Sequence, residues 1–594
     1  MMWQKTQREI HCLNNVSGKN APSPGERRVG YRSQSAGRAI AMLLVLMLGL
    51  GLRAQAASRA ATEKPGTALR AIVASGRLPI LRWPNFPDYR RQVESLYRRS
   101  GYKAVWLHEG QPTAQAREMI SILQHADSKG LLPEDYDAPS WTGRLARLRA
   151  NHPPVEEARF DVALTVCTMR YASDLREGRV NPRHVEFRLG TGPRQLDLSG
   201  FVEKRLLKGT DLTAVLAGVE PSSDEYQELL KALERYMRLA EQDSGEKLPD
   251  THGIVFSGTM YDGVPKLAEL LHLVGDLPES VVVPADSRLY DETLVEAVKR
   301  FQRRHGLRPD GYLNLDTLAE LNVPLSDRVE QLRLTLERYR WLHYDPTQPR
   351  IIVNIPGFRL YALEKNGKIG LTMTVDVGDG YTRTPMLEDK IQYIVFRPYW
   401  DVPRNIEKDE IVPNIKGDPK YLAEEHFEVL APNGQVVADK QVSDEILEQM
   451  RAGKLRVRQK PGPANSMGLV KFIFPNRYNV YLHDIPSWGD YFADPNRNIS
   501  HGCIHVKEPA ELAAWLLRGK PGWTLSRVRQ AMHGGKNSLR VNLAKPVPVL
   551  IGYMTAVVGE DGDTYFYSDI YGYDAQLEET LAKGYPYPRV TAGN

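Results

Sequence analysis

The stretch "NRNISHGCIHV", residues 496–506, sets Ser500, His501, Gly502, Cys503 and His505 within six positions. The chain has only three cysteines among 594 residues. A cysteine between two histidines can be a metal ligand, a redox thiol, a nucleophile or a small buried side chain. A free thiol is only a few per cent thiolate at neutral pH, so a nucleophile needs a base beside it. "YNVYLH", 478–483, offers one. Its alternation predicts a strand with Tyr478, Val480 and Leu482 on one face and Asn479, Tyr481 and His483 on the other. A sheet would hold the His483 imidazole firmly against a groove. The loop "DIPSWGDYFADPNRNIS" between His483 and Cys503 is rich in turn formers and can fold the strand end back onto the thiol. Gly502 lets the backbone approach a substrate closely and can free amides for an oxyanion hole. In papain-type enzymes the cysteine comes far before the histidine; here the order is reversed and the spacing short.

Composition narrows the alternatives. The net charge of +5 is concentrated at the start of the chain. Residues 1–56 hold eight Lys/Arg and two Asp/Glu, and without them 70 basic face 71 acidic side chains. The body has no global basic field, so no nucleic-acid partner is expected. Arg27, Arg28, Arg32 and Arg38 precede "AIAMLLVLMLGLGL", 39–52, and "AQA", 54–56, follows it. Basic region, short apolar run and small-x-small site read as a secretory signal, so the expected location is the periplasm. The apolar run is short of the ~20 residues a spanning helix needs. Left uncleaved, the signal would tether the chain to the inner membrane. The exported chain keeps Cys167 and Cys503, enough for one disulfide but not for a zinc cluster. With no C-x-x-C or H-E-x-x-H, no metal or other cofactor is expected. Cys167 sits in "FDVALTVCTMRYASDLREG", apolar nearly all round, and reads as a buried small hydrophobe.

The positioning elements follow along the chain. Residues 1–56 are the signal and 57–77 a linker. Residues 78–251 are mainly helical, with Gly178 a stop signal. Residues 252–325 form a small unit in which Leu294, Ala297, Val298 and Phe301 share a helical face. Gly306 ends that helix, Asp310–Gly311 turns, and Asp316 caps a second short helix. Residues 326–345 are an amphipathic linking helix. The period then changes to two. "RIIVNIPGFRLYAL" turns at Pro356–Gly357, and Asn366–Gly367 leads into the alternating Ile369, Leu371, Met373, Val375 and Val377. "LVKFIF", 469–474, is a later strand. Residues 346–575 are thus a mostly β unit, interrupted at 405–465 by a charged, Pro/Gly-rich insertion of lid or flap character with a helix near 442–452. Residues 576–594 are a tail.

Two resemblances add to this reading. "V-x-x-F-Q-x-x-H-G-L-x-x-D-G-x-x-x-x-x-T" resembles the peptidoglycan-binding module of many wall enzymes. "H-x(16)-S-H-G-C-x-H" resembles the signature of L,D-transpeptidases, wall enzymes with a cysteine nucleophile. "TPMLEDKIQYIVFRPYWDVPRNI", "PGPANSMGLVKFIFPN" and "YLHDIPS" are similar to the large Gram-negative members, which also carry a helical scaffold domain. The implied architecture is multidomain α+β: a mostly β catalytic domain with a flap, an all-helical scaffold and a small helical peptidoglycan-binding module. The implied partners are donor and acceptor peptidoglycan stem peptides. The resemblance implies that Cys503 is the nucleophile and His483 the base, oriented through the backbone carbonyl of Asp484. His501, Gly502 and Cys503 would line the oxyanion hole with support from Ser500, and Arg497, Trp400 and Tyr481 would lie near substrate. His505 stands where the family usually has Arg or Asn, and would contact a substrate carboxylate or support the loop. The implied reaction is a three-to-three cross-link between stems. Hydrolysis or D-amino-acid exchange on the same stems, lipoprotein attachment, and a non-catalytic wall-binding scaffold are the alternatives.

Overall fold

The computed structural model describes residues 65–149, 153–182, 196–342, 347–486, 492 and 496–585. The expected signal sequence and most of the loop between His483 and Asn496 lie outside them. The described residues belong to one compact unit, Glu63–Asn594.

Apolar side chains recurring at helical spacing build the first layer. The 24-residue helix Pro154–Glu177 stops at Gly178, as the sequence predicts, and starts six residues before the apolar run, on Pro154. Burial all round makes it the axis of a helical cluster, with Cys167 fully buried in it. A short hairpin, β1 (Leu107–His108) and β2 (Gln111–Pro112), borders this cluster. The expected linker is partly wrong: Pro65–Ser75 is a helix whose Ala68, Leu69 and Val73 join the same core. Alanine-rich composition hid an amphipathic face.

The second cluster holds the small module. Its helices are Val264–Val274, Glu292–Arg304 and Leu315–Leu321, beside the pair β3 (Thr259–Met260) and β4 (Leu289–Tyr290). Leu294, Ala297, Val298 and Phe301 are buried together. Asn314, not Asp316, caps the last helix, accepting from Thr317 N at 2.8 Å. The helix Asp224–Gln242, which the sequence boundaries assign to the helical domain, buries its face here instead. The linking helix, Leu325–Trp341, runs between the clusters. Its buried Glu337 accepts from Arg179 N at 2.5 Å and Val180 N at 2.9 Å, which ties the end of the long helix to it.

The alternating C-terminal segments form the sheet that carries the site. Its strands are β5 (Arg350–Asn354), β6 (Arg359–Leu363), β7 (Ile369–Gly378) and β8 (Leu387–Phe396), then β13 (Val470–Ile473), β14 (Leu482–His483), β15 (Asn498–Ser500), β16 (Ile504–Val506) and β17 (Leu539–Gly552). Between β8 and β13 come β9 (Trp400–Asp401), β10 (Phe427–Leu430), β11 (Val436–Ala438) and β12 (Arg456–Gln459). The large sheet runs β15-β7-β16-β14-β13-β8-β17-β5-β6, and β6 also pairs with β7. Eight strands therefore close on themselves around an apolar interior that includes Ile351, Leu360, Met373, Ile394, Phe472, Leu482 and Ile504. Closure leaves few exposed edges.

The flap is a small unit with its own sheet, β11-β10-β12-β9, and its own core. It starts earlier than expected, because Trp400 and Asp401 pair with Gln459 and Arg458. Its helix, Asp444–Arg451, is capped by Ser443. The expected tail is likewise partly structural. Helix Tyr573–Ala582 buries Leu577 and Leu581, and the Tyr585 hydroxyl donates to Asp174 in the long helix.

Candidate active site

Strand register assembles the site. In the parallel pair β14–β16, Leu482 stands beside Ile504 and His483 beside His505. Leu482 and Ile504 turn inward to the core. Alternation puts Tyr481 and His483 on the other face, with Cys503 and His505. The Ile504 N–H donates to Tyr481 O at 2.9 Å, which fixes Cys503 next to Tyr481 and diagonal to His483. The strand itself is shorter than expected, two residues rather than six. Asn476 accepts from the Tyr478 and Val480 amides, and Asn479 takes φ +55°, so the chain turns there.

His483 is buried and held in one tautomer. Its Nδ1–H donates to Asp484 O at 2.5 Å, which leaves Nε2 as the accepting nitrogen. Asp484 cannot easily move: its N–H donates to Val470 O at 2.9 Å, and its carboxylate accepts from Leu469 N at 2.7 Å and Ile485 N at 2.9 Å. Burial, and then His505, push the His483 imidazolium well below the usual range. Burial pushes the Cys503 thiol up, opposed by the Tyr481 backbone amide and the Lys471 charge. Both directions favour a neutral thiol beside a neutral imidazole at rest.

The catalytic-loop candidates divide by role. Ser500 is buried, donates to Cys503 O at 2.5 Å and accepts from Gly502 N at 3.1 Å. The Gly502 amide is thus spent inside the loop, a correction to its expected place among oxyanion donors. The Cys503 amide has no acceptor among the described residues. His501 Nε2 lies 2.7 Å from Glu410 Oε1 of the flap. That bond, against partial burial, raises the His501 imidazolium above its ordinary value. Gly502 has φ +100°, and a Cβ on Gly378 would sit 2.9 Å from the Gly502 Cα, so these two glycines let the loops touch.

The groove candidates divide: Tyr481 and His505 stand beside Cys503 and His483, while Arg497 and Trp400 are engaged in other contacts. Arg497 turns inward, donating to Phe492 O at 2.5 Å with Nη1 3.9 Å from Asp376 Oδ1. Trp400 packs on the flap core, 6.1 Å from the Phe427 ring. Tyr481 faces Phe474 at 6.0 Å, with Lys471 Nζ 5.8 Å from its ring centre. His505 meets His483 edge-on, ring centres 5.0 Å apart at 66°, and its Nδ1 is 3.5 Å from Asp376 Oδ2.

Several residues around the site escaped the sequence reading. Lys471 stands opposite His483 on β13, and burial lowers its ammonium. A lysine inside the apolar run "LVKFIF" was the available signal. Thr384 donates to Gly502 O at 3.0 Å and accepts from Gly378 N at 2.8 Å, and the Asp379 amide donates to Ser500 O at 3.0 Å. Tyr571 donates to Gly378 O at 2.5 Å. Nothing local in "GDGYTRTP" says which loop it braces. Among the described residues no group of three or more His, Cys, Asp or Glu could hold a metal ion.

Comparison with known proteins places matches along three stretches of the chain. Residues 348–526 match the family model of the L,D-transpeptidase catalytic domain, residues 262–321 that of a "Putative peptidoglycan binding domain", and residues 91–233 that of a scaffold domain. The three matches follow one another along the chain, the scaffold domain first, the peptidoglycan-binding domain next and the L,D-transpeptidase catalytic domain last. A Haemophilus influenzae protein named "Putative L,D-transpeptidase" is 33% identical over 227 residues, 38% of this chain and 45% of that protein. The match thus spans less than half of that relative. Among solved structures, an L,D-transpeptidase from Xylanimonas cellulosilytica is 15% identical, covering 51% of this chain and all of that one, with a TM-score of 0.16. One from Stackebrandtia nassauensis is 13% identical over 52% of this chain and 97% of that one, with a TM-score of 0.18. At such scores the fold rests on the strand pairing described above.

Proposed function

We propose that this chain is an exported peptidoglycan L,D-transpeptidase that forms three-to-three diaminopimelate cross-links. The observation that carries the proposal is that Cys503 and His483 lie diagonally on one sheet face, with His483 Nδ1 tied to Asp484 O so that Nε2 is left to accept a proton. Cys503 Sγ attacks the carbonyl between meso-diaminopimelate and the terminal D-alanine of a tetrapeptide stem. The thiol proton passes to His483 Nε2 as the sulfur attacks, since a buried neutral pair transfers it more readily than it holds separated charges. The Cys503 N–H, without an acceptor among the described residues, stabilises the oxyanion. His483 then protonates the leaving D-alanine amine, and a thioester remains. The side-chain amine of a second stem attacks the thioester, loses its proton to His483 and releases the thiolate. The small helical module holds the enzyme on the wall, and the flap closes over the stems.

The test is muropeptide mass spectrometry with purified protein, wild type against Cys503→Ala. Dimers linked three-to-three are expected from the wild type only, while Cys503→Ala still binds sacculi. Abundant tripeptide without dimers would make the enzyme an L,D-carboxypeptidase, and product from Cys503→Ala would end the mechanism. A carbapenem should add its mass to wild type and not to Cys503→Ala.

A further inference from the structure

Beyond His483, the polar face continues across two more strands. His505 stands opposite Asp376 in the antiparallel pair β16–β7, and beside His483 in the parallel pair β14–β16. Three adjacent strands therefore place Asp376, His505 and His483 in one row, with Lys471 the next member on β13. Asp376 is fully buried, and neither of its carboxylate oxygens is in full hydrogen-bond geometry. The nearest basic side chains are His505, Nδ1 at 3.5 Å, and Arg497, Nη1 at 3.9 Å. A buried carboxylate in such a place needs an explanation, because it is expensive to keep.

We propose that Asp376 and His505 are positioning residues for His483, the histidine walling the base imidazole at its working angle and the carboxylate setting the pH range in which it takes the Cys503 proton. This rests on the reading of Cys503 and His483 as nucleophile and base. The edge-on contact fixes the ring angle from one side, as Asp484 O fixes it from the other. The charge argument runs through the pair. Burial pushes the Asp376 carboxyl up to about 7 and the His505 imidazolium down to about 4, so the pair holds one proton just below neutrality. When that proton leaves, a negative charge appears two strands from His483 and favours its imidazolium. The other groups facing the row are Arg497 beside Asp376, His501 near His505, and Lys471 near His483. Arg497 and Lys471, whose ammonium burial lowers, enter as cations, and His501, raised by Glu410, also changes charge as pH rises, so Asp376→Asn is the variant that isolates the carboxylate. In a family position usually held by Arg or Asn, this chain has a histidine with a buried carboxylate behind it.

The experiment is the pH profile of Cys503 alkylation by iodoacetamide, read by peptide mass spectrometry on the full chain. It needs no wall substrate. Asp376→Asn removes the charge. His505→Phe keeps a ring against His483 but takes away the polar Nδ1 3.5 Å from Asp376, whose carboxyl then stays protonated to higher pH. Both variants are expected to raise the midpoint by about 0.5–1 unit, with His505→Phe keeping most of the plateau rate. His505→Ala, which removes the ring, should lose about tenfold in plateau rate. If Asp376→Asn does not fold, the two His505 variants carry the test. Profiles like wild type in the folded variants would overturn the proposal. His483→Asn tells which reading has failed. If it alone alters the profile, only the positioning role falls; if it too titrates like wild type, the Cys503–His483 pairing falls and takes the positioning role with it.

Discussion

A bond between Glu410 of the flap and His501 of the loop before Cys503 should depend on pH in its strength. Glu410 lies on the turn Glu407–Ile411, a π-helical segment, and its carboxylate is 2.7 Å from His501 Nε2. The pair raises the His501 imidazolium above its ordinary value of about 6.5, with Asp379 adding to the effect. A raised folded value means the contribution is full below the unfolded value and is lost as pH rises through the folded one. Both side chains are about one-third exposed, so solvent screening limits the pair to about 1 kcal/mol at most. That corresponds to a change of about fivefold in the opening equilibrium of the flap. Hydrogen exchange of peptides within 404–417, corrected for intrinsic rates, should show about fivefold more protection near pH 5.5 than near pH 8.5. Glu410→Gln should remove most of that difference by lowering protection at the acid end, and high salt should act the same way. Equal protection at both pH values in the wild type, or an unchanged difference in Glu410→Gln, would refute the reasoning.

Other consequences can be measured separately. Gly468 has φ +59°, and a Cβ there would lie 2.5 Å from the Asp484 Cβ; Gly468→Ala should displace the carbonyl that holds His483 and lower kcat/KM by about tenfold, with a modest loss in Tm. Lys471→Met removes the cation that opposes the rise of the Cys503 thiol; alkylation at fixed neutral pH should slow several-fold while Tm holds or rises, because a buried ammonium is relieved. Ser500→Ala leaves the Cys503 carbonyl and the Gly502 amide unpaired in a buried loop; about 2–4 kcal/mol of local stability should go, seen as faster exchange of that loop and lower activity. Glu337→Ala strips two amides and two arginines of their carboxylate at the helix junction, and thermal melting should report a loss of about 3–5 kcal/mol.

Local pattern carried much of the architecture. Helix Pro154–Glu177 was legible from continuous apolar spacing and Gly178, and the small module's core from Leu294, Ala297, Val298 and Phe301. The hairpin before β7 was legible from Asn366–Gly367, since glycine takes φ +79° there at little strain. Errors came where two elements share a face. The segment at 65–75 looked like a linker because its partner, the long helix, lies some ninety residues away. Helix Asp224–Gln242 lies within the expected helical span yet buries its face in the small module's core, because helical period shows that a face is buried but not against what.

For the site, the sequence by itself determined the chemistry: a thiol, a histidine at the end of a strand, and glycines for close approach. Period-two alternation even set Tyr481 and His483 on one face. Only the tertiary structure decided which side chains surround them. Parallel pairing of β14 with β16 and antiparallel pairing of β16 with β7 brought Asp376, more than a hundred residues upstream, behind His505. Register between distant strands depends on how the whole sheet closes, and no local spacing encodes it. The same closure turned Arg497 inward and made His505, first seen as one of a pair flanking the cysteine, a neighbour of His483 instead.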